Sequence, residues 1–271
     1  MPEKTEKAAV IIAAHKPYRM PEDPMYLPLH VGAKGRESIG YRQDDEGENI
    51  SDLNPYFCEL TGLYWAWRNC EADYIGLAHY RRHFSLHPNP RAPWDSLLTE
   101  AELTPYLPHI RLFVPSKRKY YIETLYSHYA HTHYAGQLDT TREIIGEKYP
   151  EYLQSYDKTI RQRWGYMFNM LIAERTLLND YCTWLFDILF ELRNRIGSEE
   201  KILDQYQARF YGRISEIIFN VWLNEKLRIG TLRKDEIKEI PLIYMEKVDW
   251  KKKGTAFLKA KFTGRRYQGS F

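Results

Sequence analysis

Cysteine is scarce in this chain of 271 residues: Cys58, Cys70 and Cys182 are all it has. An odd, widely spaced set with no Cys-x-x-Cys pair excludes a disulfide framework and a zinc ribbon. Long apolar runs are missing too. Nothing approaches the ~20 consecutive apolar residues that a membrane-spanning helix needs. The run Ala8–Ala14 behind the polar Met1–Lys7 is too short for a secretory signal. Net charge is small, +3, so overall electrostatics give no reason to expect nucleic acid as a partner. Together these absences point to a cytoplasmic globular chain whose membrane contact, if it has one, is peripheral. Aromatic residues are what the chain has in excess, with 22 Tyr, 11 Phe and 7 Trp. That is more than a minimal core needs, and it suits stacking on rings or docking at an interface.

The apolar run Ala8-Ala-Val-Ile-Ile-Ala-Ala14 predicts a buried parallel strand, and Tyr74–Ala78 predicts a second. Gly32 to Asp52 is polar and rich in Asp, Glu and Gly, and reads as a mobile, solvated loop. Asn54-Pro55 predicts a helix start, with Asn54 as the cap and Pro55 at the first helical position. Leu60, Leu63, Tyr64 and Trp67 continue that helix to Asn69. Further on, helices are expected over Tyr120–Tyr134, Thr140–Glu147, Pro150–Gln162, Glu174–Ile196 and Lys201–Leu227. A buried strand is expected over Gly165–Ala173 and a short one over Pro241–Glu246. Strands and helices alternate in the first half and the second half is mainly helical. This gives an α/β class with a Rossmann-type sheet flanked by helices.

We read residues 1–246 as one domain and 247–271 as a basic aromatic tail. Eight Lys or Arg stand against one Asp in that tail, interleaved with Trp250, Phe257, Phe262, Tyr267 and Phe271. Such a composition suits an anionic membrane surface; a plain solvated face is the simpler alternative.

The most specific local feature is the strand Asp73-Tyr-Ile-Gly-Leu-Ala78 running straight into His79-Tyr80-Arg81-Arg82-His83-Phe84. Guanidinium groups are planar, permanently charged forks that match phosphate oxygens bidentately. Ligands in α/β proteins sit at the carboxyl ends of strands. His79, Arg81 and Arg82 are therefore candidates to grip a diphosphate, against the alternative of a solvated strand end. Asn54 and Glu59, on the helix facing that strand end, are candidates to bond a sugar; capping or a salt bridge would account for Glu59 equally. His128-x-x-His131-x-His133 has the wrong spacing for one helix face and does not read as zinc. The tyrosines around it (Tyr120, Tyr121, Tyr126, Tyr129 and Tyr134) suit an acceptor-binding surface.

Three stretches resemble a bacterial family of capsular and exopolysaccharide glycosyltransferases formerly catalogued as a domain of unknown function. They are Asn49-Ile-Ser with Asn54-Pro-Tyr-Phe-Cys-Glu-Leu-Thr-Gly-Leu-Tyr-Trp-Ala-Trp-Arg-Asn69, then Asp73 to Arg82, then Tyr120-Tyr-Ile-Glu-Thr-Leu-Tyr-Ser-His-Tyr129. The resemblance implies a GT-A-like fold and transfer of a hexosyl group from a UDP-sugar, galactofuranosyl in some members. The acceptor it implies is a lipid-linked or growing surface polysaccharide. Within that pattern Ala66-Trp67-Arg68-Asn69 stands where many such enzymes carry Ala-Arg-Asn, which makes Arg68 a nucleotide-site candidate. His15 and Lys16, after the first strand, lie where a GT-A enzyme meets its nucleotide. Phe168-Asn169 resembles the element that contacts the donor sugar, so Asn169 is a sugar-binding candidate; a neighbouring backbone group would satisfy it as well. Asp204 stands where inverting members place the catalytic base, with a first-turn helix residue as the other reading and Glu123 in reserve.

One departure is chemically informative. The strand that should end in Asp-x-Asp, holding a divalent metal on the diphosphate, ends instead in His79-Tyr80-Arg81. Fixed cations standing where carboxylates would hold a mobile one predict catalysis without a metal cofactor. Entry of Mn²⁺ or Mg²⁺ through Asp44, Asp45 or Asp52 remains the alternative, as does a non-catalytic nucleotide- or sugar-binding scaffold.

Overall fold

A computed structural model of the protein describes residues 6–246, and the basic aromatic segment 247–271 lies outside them. The described chain forms two compact units. The first takes residues 6–116, 168–182 and 232–246, and the second takes 117–167 and 183–231. In chain order the strands are β1 (Ala8–Ala14), β2 (Tyr26–His30), β3 (Arg42–Gln43), β4 (Tyr74–His79), β5 (Arg82–Phe84), β6 (Leu112–Pro115), β7 (Arg118–Lys119), β8 (Trp164–Gly165), β9 (Leu171–Glu174), β10 (Ile237–Ile240) and β11 (Leu242–Tyr244). The helices are α1 (Asn54–Phe57), α2 (Leu60–Asn69), α3 (Glu100–Leu103), α4 (Leu125–Thr132), α5 (Ala135–Lys148), α6 (Leu153–Thr159), α7 (Arg175–Ile196) and α8 (Phe210–Arg228).

The first unit is built on a mixed sheet in the order β10-β6-β9-β4-β1-β2-β3, with β5 pairing to both β4 and β11. β1 is buried along nearly its whole length and pairs in parallel with β2 on one side and β4 on the other. The two continuous apolar runs read from the sequence are thus the central strands, as expected where both faces of a sheet are covered. β9 runs antiparallel to β4 and to β6. Gly76 lets it come close: a Cβ there would lie 2.7 Å from Cγ1 of Ile172 and 3.0 Å from the Leu171 carbonyl oxygen. The chain leaves β1 for β2 on one side and later lays β4 on the other. Their carboxyl ends therefore flank the switch point at which open α/β sheets take ligands.

The helix expected from Asn54 to Asn69 is broken. Cys58 adopts φ +56° between α1 and α2. Asn54 is the first helical residue rather than the cap, and its amide donates across the break to the Cys58 carbonyl (2.8 Å) and to Thr61 Oγ1 (3.1 Å). The stretch 32–52 is likewise not a solvated loop throughout, because it closes on Asp44, which is fully buried. The Asp44 carboxylate accepts from the backbone N–H of Gly32 (2.8 Å) and Ala33 (3.0 Å), from Thr61 Oγ1 (2.7 Å) and from the Ser51 hydroxyl. Backbone donors outside a ladder need a partner, and here one carboxylate supplies it. Gly32 has φ +69°, and a Cβ on it would sit 2.5 Å from Asn54 Oδ1.

In the second unit α4 begins only at Leu125, capped by Thr124, whose side chain accepts from the Ser127 N–H. Residues Tyr120–Glu123, expected to be helical, form a turn with Tyr121 at φ +54°. The helix expected from Lys201 begins at Phe210, preceded by 3-10 turns over Gly197–Lys201 and Gln207–Arg209. Asp204 therefore lies outside it. The single strand expected over Gly165–Ala173 is two: β8 ends at Gly165, β9 starts at Leu171, and Phe168 and Asn169 between them have φ +78° and +53°. Among the described residues no helix is long and apolar enough to cross a membrane.

Candidate active site

β4 ends at His79, and the chain turns through Tyr80-Arg81 into β5, whose first residue, Arg82, pairs with His79. The adjacent guanidinium groups thus sit on a hairpin at the carboxyl end of a central strand. They engage different neighbours. Arg81 lies over the ring of Tyr80, 5.2 Å from its centre, and Arg82 lies 4.7 Å from the centre of Phe168 and 5.7 Å from that of Tyr244.

Buried Tyr80 gathers the cationic side chains. Lys16 Nζ stands 5.5 Å from its ring centre and His15 meets it edge-on at 5.3 Å. Aromatic faces attract cations by their quadrupole. The residues following β1 and the hairpin following β4 therefore meet around one ring. Tyr18 packs on the same ring at 5.0 Å, and Glu246 pairs with Arg81 at 3.5 Å. Burial, followed by the charge of Glu246, raises the Tyr18 hydroxyl pKa.

A second cluster shares the hairpin. His79 donates its Nε2–H to the Phe168 carbonyl at 2.7 Å, and Asn169 Nδ2 donates to Glu59 Oε1 at 2.6 Å. Consecutive left-handed residues other than glycine cost about 1–3 kcal/mol each, and persist where the surroundings over-determine them. Here a hydrogen bond at each residue and the Arg82 guanidinium over the Phe168 ring hold the turn. Burial lowers the His79 pKa; Glu59 opposes that shift and Arg82 and Arg81 reinforce it. Because it faces a carbonyl oxygen, Nε2 is a ring nitrogen of His79 that carries a proton.

His79, Arg82, Glu59 and Asn169 are thus brought together, and His15, Lys16 and Arg81 form the neighbouring group around Tyr80. Arg68 is not with them. It lies in the last turn of α2, ahead of the amino end of β4, and is paired with Glu48 at 2.6 Å. Asn54 has its amide committed to Cys58 and Thr61. Asp204 belongs to the second unit, where Oδ1 accepts from the N–H groups of Tyr206 and Gln207, each at 2.9 Å. Glu123, also in the second unit, is buried between two histidines. Sequence reasoning missed Tyr80, Tyr18, Tyr244 and Glu246. Tyr80 stood inside the motif but was overshadowed by its charged neighbours. Glu246 reaches Arg81 only through the pairing of β11 with β5, which no local pattern announces.

Among the described residues no three His, Cys, Asp or Glu side chains come together as ligands for a metal ion. At the end of β4, where a cation on a diphosphate would lie, the chain presents guanidinium groups, and Asp44 is spent on four donors. These residues do not fit a divalent cation at that place.

Residues 9–227 match a family model described as a domain of unknown function, DUF4422. The chain belongs to the DUF4422 family. This DUF4422 chain also resembles the solved apo structure of WbbM, a bifunctional glycosyltransferase, with a TM-score of 0.80 and 28% identity. The match covers 89% of this chain and 46% of WbbM, so the chain spans about half the length of that protein. The α/β fold expected from the sequence is the GT-A-like one. A comparison with curated proteins gives no match.

Proposed function

We propose that this DUF4422 chain is a glycosyltransferase that moves a hexosyl group, galactofuranosyl among the candidates, from a UDP-sugar to a lipid-linked or growing surface polysaccharide. In this reading the reaction inverts the anomeric centre and uses no divalent metal. The observation that carries the proposal is the placement of Lys16, Arg81 and Arg82 at the carboxyl ends of β1 and β4, the first two against Tyr80 and the third against Phe168, in a fold shared with a glycosyltransferase.

The acceptor hydroxyl attacks the anomeric carbon as the bond to the diphosphate oxygen breaks. Negative charge then develops on the departing diphosphate, and preorganised guanidinium groups stabilise it. Glu59 and Asn169 hold sugar hydroxyls, and the acceptor proton goes to a general base, for which Asp204 is the residue proposed from the sequence. The tail 247–271 docks on an anionic membrane face near a lipid-linked acceptor, and deleting it should reduce pelleting with anionic vesicles.

A thermal-shift panel of UDP, UDP-sugars and other nucleotides in excess EDTA tests the donor class, since a ligand of the folded state raises the melting temperature. Stabilisation by UDP compounds in EDTA is expected. Stabilisation only with added Mn²⁺ or Mg²⁺ would overturn the metal-free mechanism. Arg82→Ala and Arg81→Ala should each weaken UDP binding about tenfold or more, as fits loss of a charge-assisted contact. In Asp204→Asn the side-chain oxygen still accepts from Tyr206 and Gln207. UDP binding should therefore survive while kcat falls by roughly 10²–10⁴, the usual worth of a general base. An unchanged kcat would reject Asp204.

A further inference from the structure

The second unit holds a cluster that the donor chemistry leaves unused. Glu123 is only 3% exposed, and its carboxylate accepts from Nδ1–H of His128 at 2.9 Å and from Nδ1–H of His131 at 2.7 Å. A carboxylate can only accept, so Nδ1 of each ring carries a proton, and a ring with one proton keeps its lone pair on Nε2. His128 is mostly buried and packs on Tyr120 with ring centres 4.5 Å apart. The His131 side chain is 43% exposed, and its Nε2 makes no hydrogen bond among the described residues. The result is an imidazole at the surface, fixed in orientation and presenting an acceptor.

The same turn presents an aromatic ring to solvent. Tyr121 holds a left-handed φ of +54° and is 76% exposed beside Ile122 at 56%. The turn is clamped on both sides. Ile122 N–H donates to the Tyr120 carbonyl at 2.6 Å, Tyr120 N–H to the Arg163 carbonyl at 2.8 Å, and Arg163 Nη1 to the Tyr121 carbonyl at 3.3 Å. A strained tyrosine kept out of the core gains nothing from burial. Of the tyrosines expected to form an acceptor surface, Tyr120 and Tyr129 are buried and Tyr126 is bonded to Asp139. Tyr134 is half-buried, and of the five only Tyr121 is exposed.

An exposed ring two residues from Glu123, which itself orients a hydroxyl acceptor on His131, suits a neutral, hydroxyl-rich ligand. A metal would need a third ligand, and no such group of three occurs among the described residues. We propose that Tyr121 and His131 form a saccharide-binding subsite in the second unit, with Tyr121 stacking on the sugar ring and His131 Nε2 accepting a sugar hydroxyl. Glu123 is its positioning residue, holding the His131 ring by Nδ1. The assignment rests on the glycosyltransferase reading and names the acceptor sugar as the occupant.

The test is saturation-transfer NMR on the full chain without nucleotide, using methyl glucoside, methyl mannoside, methyl galactopyranoside and methyl galactofuranoside. Roughly 10 mM of each suits the mM Kd expected of a weak carbohydrate contact. Transfer to at least one glycoside is expected, reduced at least tenfold in both Tyr121→Ala and His131→Ala. In Glu123→Leu, which leaves no oxygen to accept from Nδ1, the ¹⁵N shifts of His131 should move away from a ring protonated on Nδ1. No transfer to any glycoside, or equal transfer in wild type and both variants, would overturn the subsite. UDP stabilisation is read separately on the same samples. Its loss with sugar transfer intact would overturn the donor reading and leave the subsite standing.

Discussion

Four donors meet the carboxylate of Asp44, and two of them are backbone N–H groups of the Gly32–Ala33 turn. Truncation to Ala would strand those donors away from water, at about 1–3 kcal/mol for each one left unpaired. Asp44→Ala should therefore cost on the order of 3 kcal/mol or more, seen as a lower urea midpoint with an unchanged m-value. An unchanged midpoint would mean that the turn does not depend on this carboxylate. Asp44 also shows what a sequence hides. Its neighbours Asp45, Glu46 and Glu48 made the stretch read as solvated, and only closure onto Ser51 and Thr61 buries it. Arg81 and Arg82 were legible because the signal is local: two fixed charges follow an apolar strand within a few residues. The pairing of Asn169 with Glu59 was legible only as two separate polar candidates. Their contact depends on a turn that brings distant parts of the chain together.

Strands β1 and β4 were readable as elements because both faces are covered and their apolar runs are continuous. The segment Gly165–Ala173 carries the same apolar content, yet Phe168 and Asn169 form a left-handed turn. Composition could not separate the two, since Met167, Phe168 and Met170 are buried or partly buried whether they lie in a strand or a turn. The helix starts at Leu125 and Phe210 were misplaced for a related reason. The polar and aromatic residues before each one are tolerated in helices, and the turns that displaced them are held by contacts such as Arg163 to Tyr121 and the Asp204 cap. The junction of β4 with β9 gives a prediction at this scale. Gly76→Ala would push a methyl against Ile172 and the Leu171 carbonyl, and overpacking of this kind costs typically about 1–3 kcal/mol. A melting temperature equal to wild type would show that β9 can move aside.

For the molecule as a whole, acid should be the sharpest stress. His83 is fully buried, with its ring 6.0 Å from that of Tyr26 and 6.2 Å from that of Trp94. Neither ring nitrogen makes a hydrogen bond of ordinary geometry, and burial pushes its pKa from 6.5 down to about 4, against a weak pull upward from the Tyr80 backbone. The unfolded chain therefore binds this proton more readily than the folded one. The resulting stability is full above the unfolded value of 6.5 and is lost as pH falls toward about 4. Such a shift is worth roughly 3 kcal/mol, and His128, also lowered to about 4 by burial, acts in the same direction. Melting temperatures between pH 7.5 and 4.5 should fall steeply, and less steeply in His83→Phe; parallel curves would exclude His83 as a contributor. The three-piece make-up of the first unit has a consequence for the newborn chain. The hairpin bearing Arg81 leaves the ribosome long before β11, and at about 5–20 residues per second the interval is on the order of 10 s. Throughout that interval β5 lacks one of its two neighbours and Arg81 lacks Glu246. The second unit's residues are synthesised in the meantime, so the hairpin bearing Arg81 gains its β11 partner only after them. Until then one edge of β5 is unpaired and open to pairing with a wrong strand.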